Sequence, residues 1–271
     1  MRVTTTSIAA LAAALLAGNV IAADIYPNKP VRIVTAQPGG GVDYTARVLG
    51  QGLAAKYGQS FVIENRGGAA TIPAQNVSFA AADGYTLLVH NSTIWTAPLF
   101  ETLPEYMADL TPVVLASRSP NLLVVNPNVA ARSVQELIAL AKANPGKFQY
   151  ASTGIAGMHH FGGELFKRTA GIDLGHVAYK GGGASSFAVL AGEVPMMFST
   201  MPLGLPFVRT DKLRALGVGG ATRSPLLPNV PTLAEGGARG YEFTVWWGLV
   251  APAQTPETAT LGVEGVPGAR P

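Results

Sequence analysis

The 271 residues contain no cysteine, so no disulfide holds the fold, and a chain of this length that is 48% hydrophobic can build a core without one. Only 13% of the residues are charged, the formal balance is +3, and no basic cluster stands out, which argues against nucleic acid or an anionic membrane surface as a partner.

Met1-Arg2 and the Ala-rich apolar run Ile8 to Ile21 read as a secretory signal peptide over residues 1–23, closed by small residues and cleaved after Ala22 or Ala23. The run is about 14 residues, short of the ~20 that span a bilayer. The expected mature protein is exported. Val31 to Thr35 is a β-branched strand, Pro38-Gly39-Gly40-Gly41 breaks it, and Asp43 stands where a helix N-cap would. Val48, Leu49, Leu53 and Tyr57 follow at helical spacing. Unpaired N–H groups at such a helix start favour an anion, and glycine lets it approach the backbone. Tyr44 occupies the last position of a G-x-G-x-x-G pattern, and no Gly-Lys-Ser/Thr follows, so neither nucleotide fingerprint fits. A tight turn that binds nothing is the alternative.

Phe61 to Glu64 is the next strand, Asn65 to Ala70 a loop, Asn76 to Ala82 a helix, and Asp83-Gly84 turns into the strand Tyr85 to Val89. This alternation is that of an α/β domain with a parallel sheet. His90, Asn91, Ser92 and Thr93 lie past the strand's carboxyl end, where open α/β sheets bind ligands; a solvated loop is the equal alternative. Val113 to Leu115 and Leu122 to Val125 are separate apolar runs, and Ser133 caps a helix that stops at Asn144-Pro145-Gly146. Phe148 to Ala151, the small-residue loop Ser152 to Gly157 and a helix carrying His160 and Glu164 repeat the first arrangement. A third copy runs through the strand His176 to Tyr179, the loop Lys180-Gly181-Gly182-Gly183 and the helix Ala184 to Leu190. Val194 to Phe198 and Leu213 to Val218 are further strands. Three such helix starts would make one polar, positively polarised cleft.

An ordered set of motifs then matches a known family: Tyr26-Pro27, Pro38-Gly39-Gly40 with Asp43 and Ala46-Arg47, Glu64-Asn65-Arg66, Asp83-Gly84-Tyr85, Thr111-Pro112-Val113, Tyr150-Ala151-Ser152 with Gly154 and His160, Tyr179-Lys180-Gly181, Arg223-Ser224-Pro225, Val230-Pro231-Thr232, and Trp246 to Gly248. From Tyr26 to Pro256 the chain resembles the extracytoplasmic solute-binding receptors of tripartite tricarboxylate transporters, the Bug receptors. The resemblance implies an α/β, two-lobed periplasmic-binding-protein fold of type II, with mainly parallel sheets and interlobe crossings near Leu123 and Val218. It implies residues 24–123 as the first part of lobe 1, 124–218 as lobe 2, and 219–256 as the return to lobe 1. A periplasmic monomer would capture a small carboxylate (an amino acid, a di- or tricarboxylate, or an aromatic acid) between the lobes. It would pass the ligand to the membrane subunits of a tripartite tricarboxylate-type transporter, with no metal or cofactor. The ligand-binding residues it implies are Pro38, Gly39, Gly40 and Gly41, then Asn91, Ser92 and Thr93. Lobe 2 would add Ser152, Thr153, Gly154, Gly157 and His159, then Lys180, Gly181 and Gly182, and finally Ser199.

The chain departs from the family pattern in places. Ala156-Gly157 replace Gly-Ser, Ser199 replaces Asp, Ala184-Ser185 replace Pro-Ala, and Thr71 and Pro73 stand where glycines are usual. Residues 257–271, ETATLGVEGVPGARP, show no helical periodicity, so they read as an atypical tail with the family's C-terminal helices missing, a shortened and impaired copy; a natural short tail is the alternative. Asp43 reads as a cap for its own helix rather than a ligand contact, because a carboxylate would repel an anion. His160 and Glu164, one turn apart, lack the third ligand of a zinc site. Trp246 and Trp247 read as core or hinge, with packing on an aromatic ligand as the rival. The competing function is a secreted hydrolase, but no G-x-S-x-G occurs.

Overall fold

The computed structural model describes residues 26–67, 71–96 and 109–259. The expected signal peptide lies outside the described residues, and so does the tail beyond its first turn, the 3-10 segment Glu257–Ala259.

The first lobe begins with β1 (Val31–Thr35), α1 (Gly41–Tyr57), β2 (Phe61–Asn65), α2 (Thr71–Ser78), β3 (Thr86–Asn91) and the single turn α3 (Thr93–Thr96). β1 pairs in parallel with β2 on one side and β3 on the other. Successive strand residues face opposite ways, so β1 feeds two cores. Val31 and Ile33 pack with Ala46, Leu49 and Leu53 of α1, while Val34 packs with Ala74 and Val77 of α2. Burying each of these leucines is worth about 2 kcal/mol. α2 starts five residues before the expected Asn76, because Thr71 and Pro73 open a helix whose first turn needs no Pro N–H.

The rest of the chain supplies β4 (Leu110–Val125), α4 (Val134–Ala143), β5 (Gln149–Ser152), α5 (Met158–Ala170), β6 (Gly175–Ala178), α6 (Gly182–Ala191), β7 (Met196–Thr200), α7 (Met201–Arg209), β8 (Arg214–Val218) and β9 (Thr244–Pro252). The two apolar runs expected around Pro120 are one strand, β4. Its first part pairs antiparallel with β9, from Leu110 opposite Pro252 to Pro120 opposite Thr244. From Asn121 onward it pairs with β7 and β8 in the second lobe. Proline cannot donate to a ladder. The β4–β9 register accordingly slips between Pro112 and Val114, and the second proline, Pro120, stands where the strand leaves one lobe for the other.

The strand order is β2-β1-β3-β9-β4-β7-β5-β6, with β8 also on β4. The sheet is therefore mixed, not mainly parallel as expected. The βαβ units give parallel pairs at both ends. β4 and β9, which carry the chain between lobes, run antiparallel to their neighbours and to each other.

The crossing point is pinned by Asn121. Its N–H donates to Phe243 O at 3.2 Å, its carbonyl accepts from Gly219 N–H at 2.8 Å, and its Nδ2 donates to the Tyr241 hydroxyl at 2.7 Å. That hydroxyl donates to Gly162 O at 3.1 Å. Leu233, Ala238 and Tyr241, from the segment between β8 and β9, share the second lobe's core with Val134, Phe166 and Phe198.

Gly163 of α5 sits against the Tyr150 ring, where an added Cβ would overlap it. Gly to Ala inside a helix normally gains about 1 kcal/mol. Overpacking a buried ring costs about 1–3 kcal/mol and wins here. Gly163→Ala should lower the urea unfolding midpoint; an unchanged or raised midpoint would show that Tyr150 has room to move.

Candidate functional site

β1, β3, β5, β6 and β7 all end at one cleft between the lobes, a cavity of about 750 Å³. The first lobe contributes Gln37, Gly40, Gly41 and Val42 after β1, His90, Asn91 and Thr93 at the end of β3, and Trp247 of β9. From the second lobe come Thr153 to His159 after β5, Tyr179 to Gly182 after β6, and Thr200 at the end of β7. A smaller hollow of about 460 Å³, lined by Trp95, Val114, Trp246 and Leu249, lies elsewhere on β4 and β9 and receives none of these loops.

The helices that start at the cleft differ from those that do not. α4, away from it, is capped by Ser133, whose Oγ accepts from Glu136 N–H at 3.1 Å. α1, α5 and α6 have Gly40, Gly157 and Gly181 at their N-caps, α7 has Thr200, and no side chain caps any of the four. Residues of their N-caps and first turns line the cavity, and helix starts leave unpaired N–H groups and a positive dipole end, an arrangement suited to an anion.

Glycine is required here for different reasons. Gly181 has φ +97°, and a Cβ there would meet Gln37 Oε1 at 2.6 Å. At Gly182 a Cβ would press on Leu203 Cδ2 at 3.0 Å and lie 3.4 Å from the Gly40 Cα, so the glycine loops of the two lobes lie close together. A Cβ on Gly41 would press on Trp247 at 3.0 Å and Thr200 Oγ1 at 3.2 Å.

Asp43 is not the N-cap that the sequence suggested, because the glycines before it enter the helix and α1 begins at Gly41. Its carboxylate reaches back to accept from Gly39 N–H at 3.1 Å and also holds Arg47 Nε at 3.1 Å and Asn65 Nδ2 at 2.8 Å. Burial alone would raise its pKa, but these hydrogen bonds hold it below the ordinary value. The negative charge thus fixes the loop and is spent on Arg47 rather than on the ligand space.

Of the residues expected at a site, eleven line this cavity: Gly40, Gly41, Asn91, Thr93, Thr153, Gly154, Gly157, His159, Lys180, Gly181 and Gly182. Pro38 and Gly39 lie in the same turn without lining it. Ser92 donates to Met158 Sδ at 2.8 Å. Ser199 is buried with its Oγ on Thr200 O at 3.1 Å, and Ser152 is buried behind the β5–α5 loop. Sequence reasoning placed His90 among the polar residues past the end of β3 but did not select Gln37, Met158, Tyr179, Thr200 or Trp247.

Four buried polar atoms on lining residues have no hydrogen-bond partner among the described residues: His90 Nε2, His159 Nδ1, Thr200 Oγ1 and Trp247 Nε1. Burial pushes both imidazoles down to about 4, so they are neutral at pH 7. Among the described residues lining the cavity, Lys180 is the one ammonium and there is no carboxylate. No group of three or more His, Cys, Asp or Glu that could hold a metal exists among the described residues.

Residues 45–262 match the family pattern described as tripartite tricarboxylate transporter family receptor, TctC. The chain is 36% identical over 241 residues to Protein BugT of Bordetella pertussis, covering 87% of this chain and 74% of BugT. Its structure is similar to R. palustris Rpa4515 with adipate, at TM-score 0.84 and 32% identity over 88% of this chain and 81% of that one. It is also similar to MatC from Rhodopseudomonas palustris with bound malate, at TM-score 0.80 and 28% identity over 88% and 83% of the two chains.

Proposed function

We infer the function from one premise: the chain belongs to the receptor family of tripartite tricarboxylate transporters. It is a periplasmic solute-binding protein that captures a small carboxylate and delivers it to a transporter of that type, and it is a transport protein rather than an enzyme. The observation that carries the reading is the convergence of four side-chain-uncapped helix starts, one from the first lobe and three from the second, on a single cavity. We assign the carboxylate to the unpaired N–H groups in the first turns of α1, α5 and α6, just inside Gly40, Gly157 and Gly181, with Asn91, Thr93, Thr153, His159 and Lys180 around it. Residues 24–123 and 124–218 act as the two lobes of a type II monomer that close over the ligand, with 219–256 as the return. Adipate and malate, held by the two similar proteins, set the size class to test.

The hydrolase alternative has one geometric point in its favour, Ser152 Oγ at 2.6 Å from His176 Nε2. Ser152 is fully buried and its hydroxyl is bonded within its own turn to Gly154, so it presents no nucleophile.

A thermal-shift screen with adipate, malate, succinate and benzoate tests the reading. At a hundredfold excess over Kd a bound acid adds about 2.7 kcal/mol, and so roughly 5–10 °C to the Tm of a chain this size. A folded protein whose Tm ignores the whole panel would sink it.

A further inference from the structure

His160 touches the site from behind. It lies in the first turn of α5, outside the cavity lining, and the backbone N–H of Ala156 donates to its Nδ1 at 3.2 Å. Only a ring nitrogen with a free lone pair accepts, so Nδ1 is unprotonated and the neutral ring carries its proton on Nε2. The residue held this way is strained, since Ala156 has φ +58°, a region costly for a residue with a Cβ. Strain of this kind persists only where surrounding contacts enforce it.

A second tie runs in parallel. Ser152 Oγ meets Gly154 N–H at 3.1 Å and His176 Nε2 at 2.6 Å. The His176 ring stacks on His160 with centroids 4.2 Å apart and planes 21° apart. One imidazole pair therefore sets both bends of the loop Thr153–Gly157, and all five of its residues line the cavity.

Resting on the reading of that cavity as the carboxylate site, we propose that His160 is its positioning residue: the unprotonated Nδ1 holds the Thr153–Gly157 loop in the shape that receives the ligand, and protonation of His160 frees the loop and releases the ligand. A protonated Nδ1 would set N–H against N–H. The charged and titratable groups facing the ring are Glu164 and Lys167 of α5, His176 of β6 and Tyr150 of β5. Tyr150 OH donates to Glu164 at 2.8 Å, and Lys167 lies 3.0 Å from the same oxygen. Burial draws the His160 pKa down, Glu164 pushes it back up and Lys167 lowers it again, with a net shift below the ordinary value. The hook is closed at neutral pH and opens on the acid side.

NMR of the ¹⁵N-labelled mature chain tests this without a known ligand. At pH 7.5 His160 should show Nδ1 bare and Nε2 protonated, and the Ala156 amide should titrate with the same midpoint as the ring. His160→Asn places an amide oxygen near the position of Nδ1 that accepts at every pH, so the Ala156 amide should stop titrating; His160→Leu should leave it unbonded throughout. With whichever of adipate, malate, succinate or benzoate gives the largest thermal shift, wild-type affinity should fall at least about 10-fold from pH 7.5 to 5, roughly the worth of one hydrogen bond. The Asn variant should lose about 10-fold less than wild type over the same range, because its acceptor does not titrate while protonation of the acid itself is common to both. An Ala156 amide indifferent to the His160 titration, or a Leu variant that binds like wild type at both pH values, overturns the proposal. If none of the four acids binds, the function reading fails, and the amide titration still decides whether the hook exists.

Discussion

Gly40→Val is expected to abolish carboxylate binding, by at least about 100-fold, while leaving the unliganded fold intact. The backbone at Gly40 is extended, φ −101° and ψ 174°, a conformation that valine favours. A Cβ there meets nothing within 4 Å, and the residue lines the cavity at the N-cap of α1. The branched side chain would therefore fold without strain and stand where a carboxylate must approach the first N–H groups. The neighbouring glycines give no such clean test. At Gly41 the added group would strike Trp247 and Thr200, and Gly181 has a positive φ, so both substitutions would also disturb the fold. Lys180→Ala should weaken binding less than about 5-fold, since an exposed ion pair is worth about 1 kcal/mol or less. Calorimetric titration of the acid with the largest thermal shift would rank the two variants. The reverse order would mean that side-chain pairing, not helix-terminus donors, holds the anion.

The parts of this site that were legible in the sequence are those written in short stretches. A β-branched run, a glycine break and an apolar stripe at Leu49 and Leu53 identify β1, its loop and α1, because strand, break and helical period are all local signals. The same logic found the loops at Gly154 and Gly181. Features set by long-range pairing were not legible. Trp247 reaches the cavity because β9 places it opposite Asn91, more than 150 positions earlier in the chain. Nothing around Thr244–Pro252 states that partner or its direction, which is also why the sheet was expected to be mainly parallel. Thr200 closes an apolar strand and carries no local mark of a cleft residue. Asp43 has the composition of a cap, but only the structure shows its carboxylate turned back on Gly39.

Acidification from pH 7 to 5 is expected to remove a large share of the folding free energy. The chain has four histidines, and the fold holds all four below their ordinary pKa. Burial pushes His90 and His159 to about 4. His160 is lowered by burial against the pull of Glu164, and His176 by burial and by the neighbouring His160. The unfolded chain titrates near 6.5, so below that pH it binds more protons than the native state and gains on it. The stability these rings contribute is complete above 6.5 and is lost as pH falls toward 4. At pH 5, His90 and His159 each forfeit on the order of 2 kcal/mol, against a total of about 5–15 kcal/mol for a typical protein. Asp43 and Glu164 are held below their ordinary carboxylate values, so their loss comes at lower pH and does not blur this window. Urea titrations at pH 7.5, 6 and 5 should show the midpoint falling at near-constant slope. His159→Asn, which removes one of the buried rings, should flatten the dependence by on the order of 2 kcal/mol at pH 5. A wild-type midpoint that stays level between pH 7.5 and 5 would mean that His90 and His159 gain protons inside the fold as readily as in water.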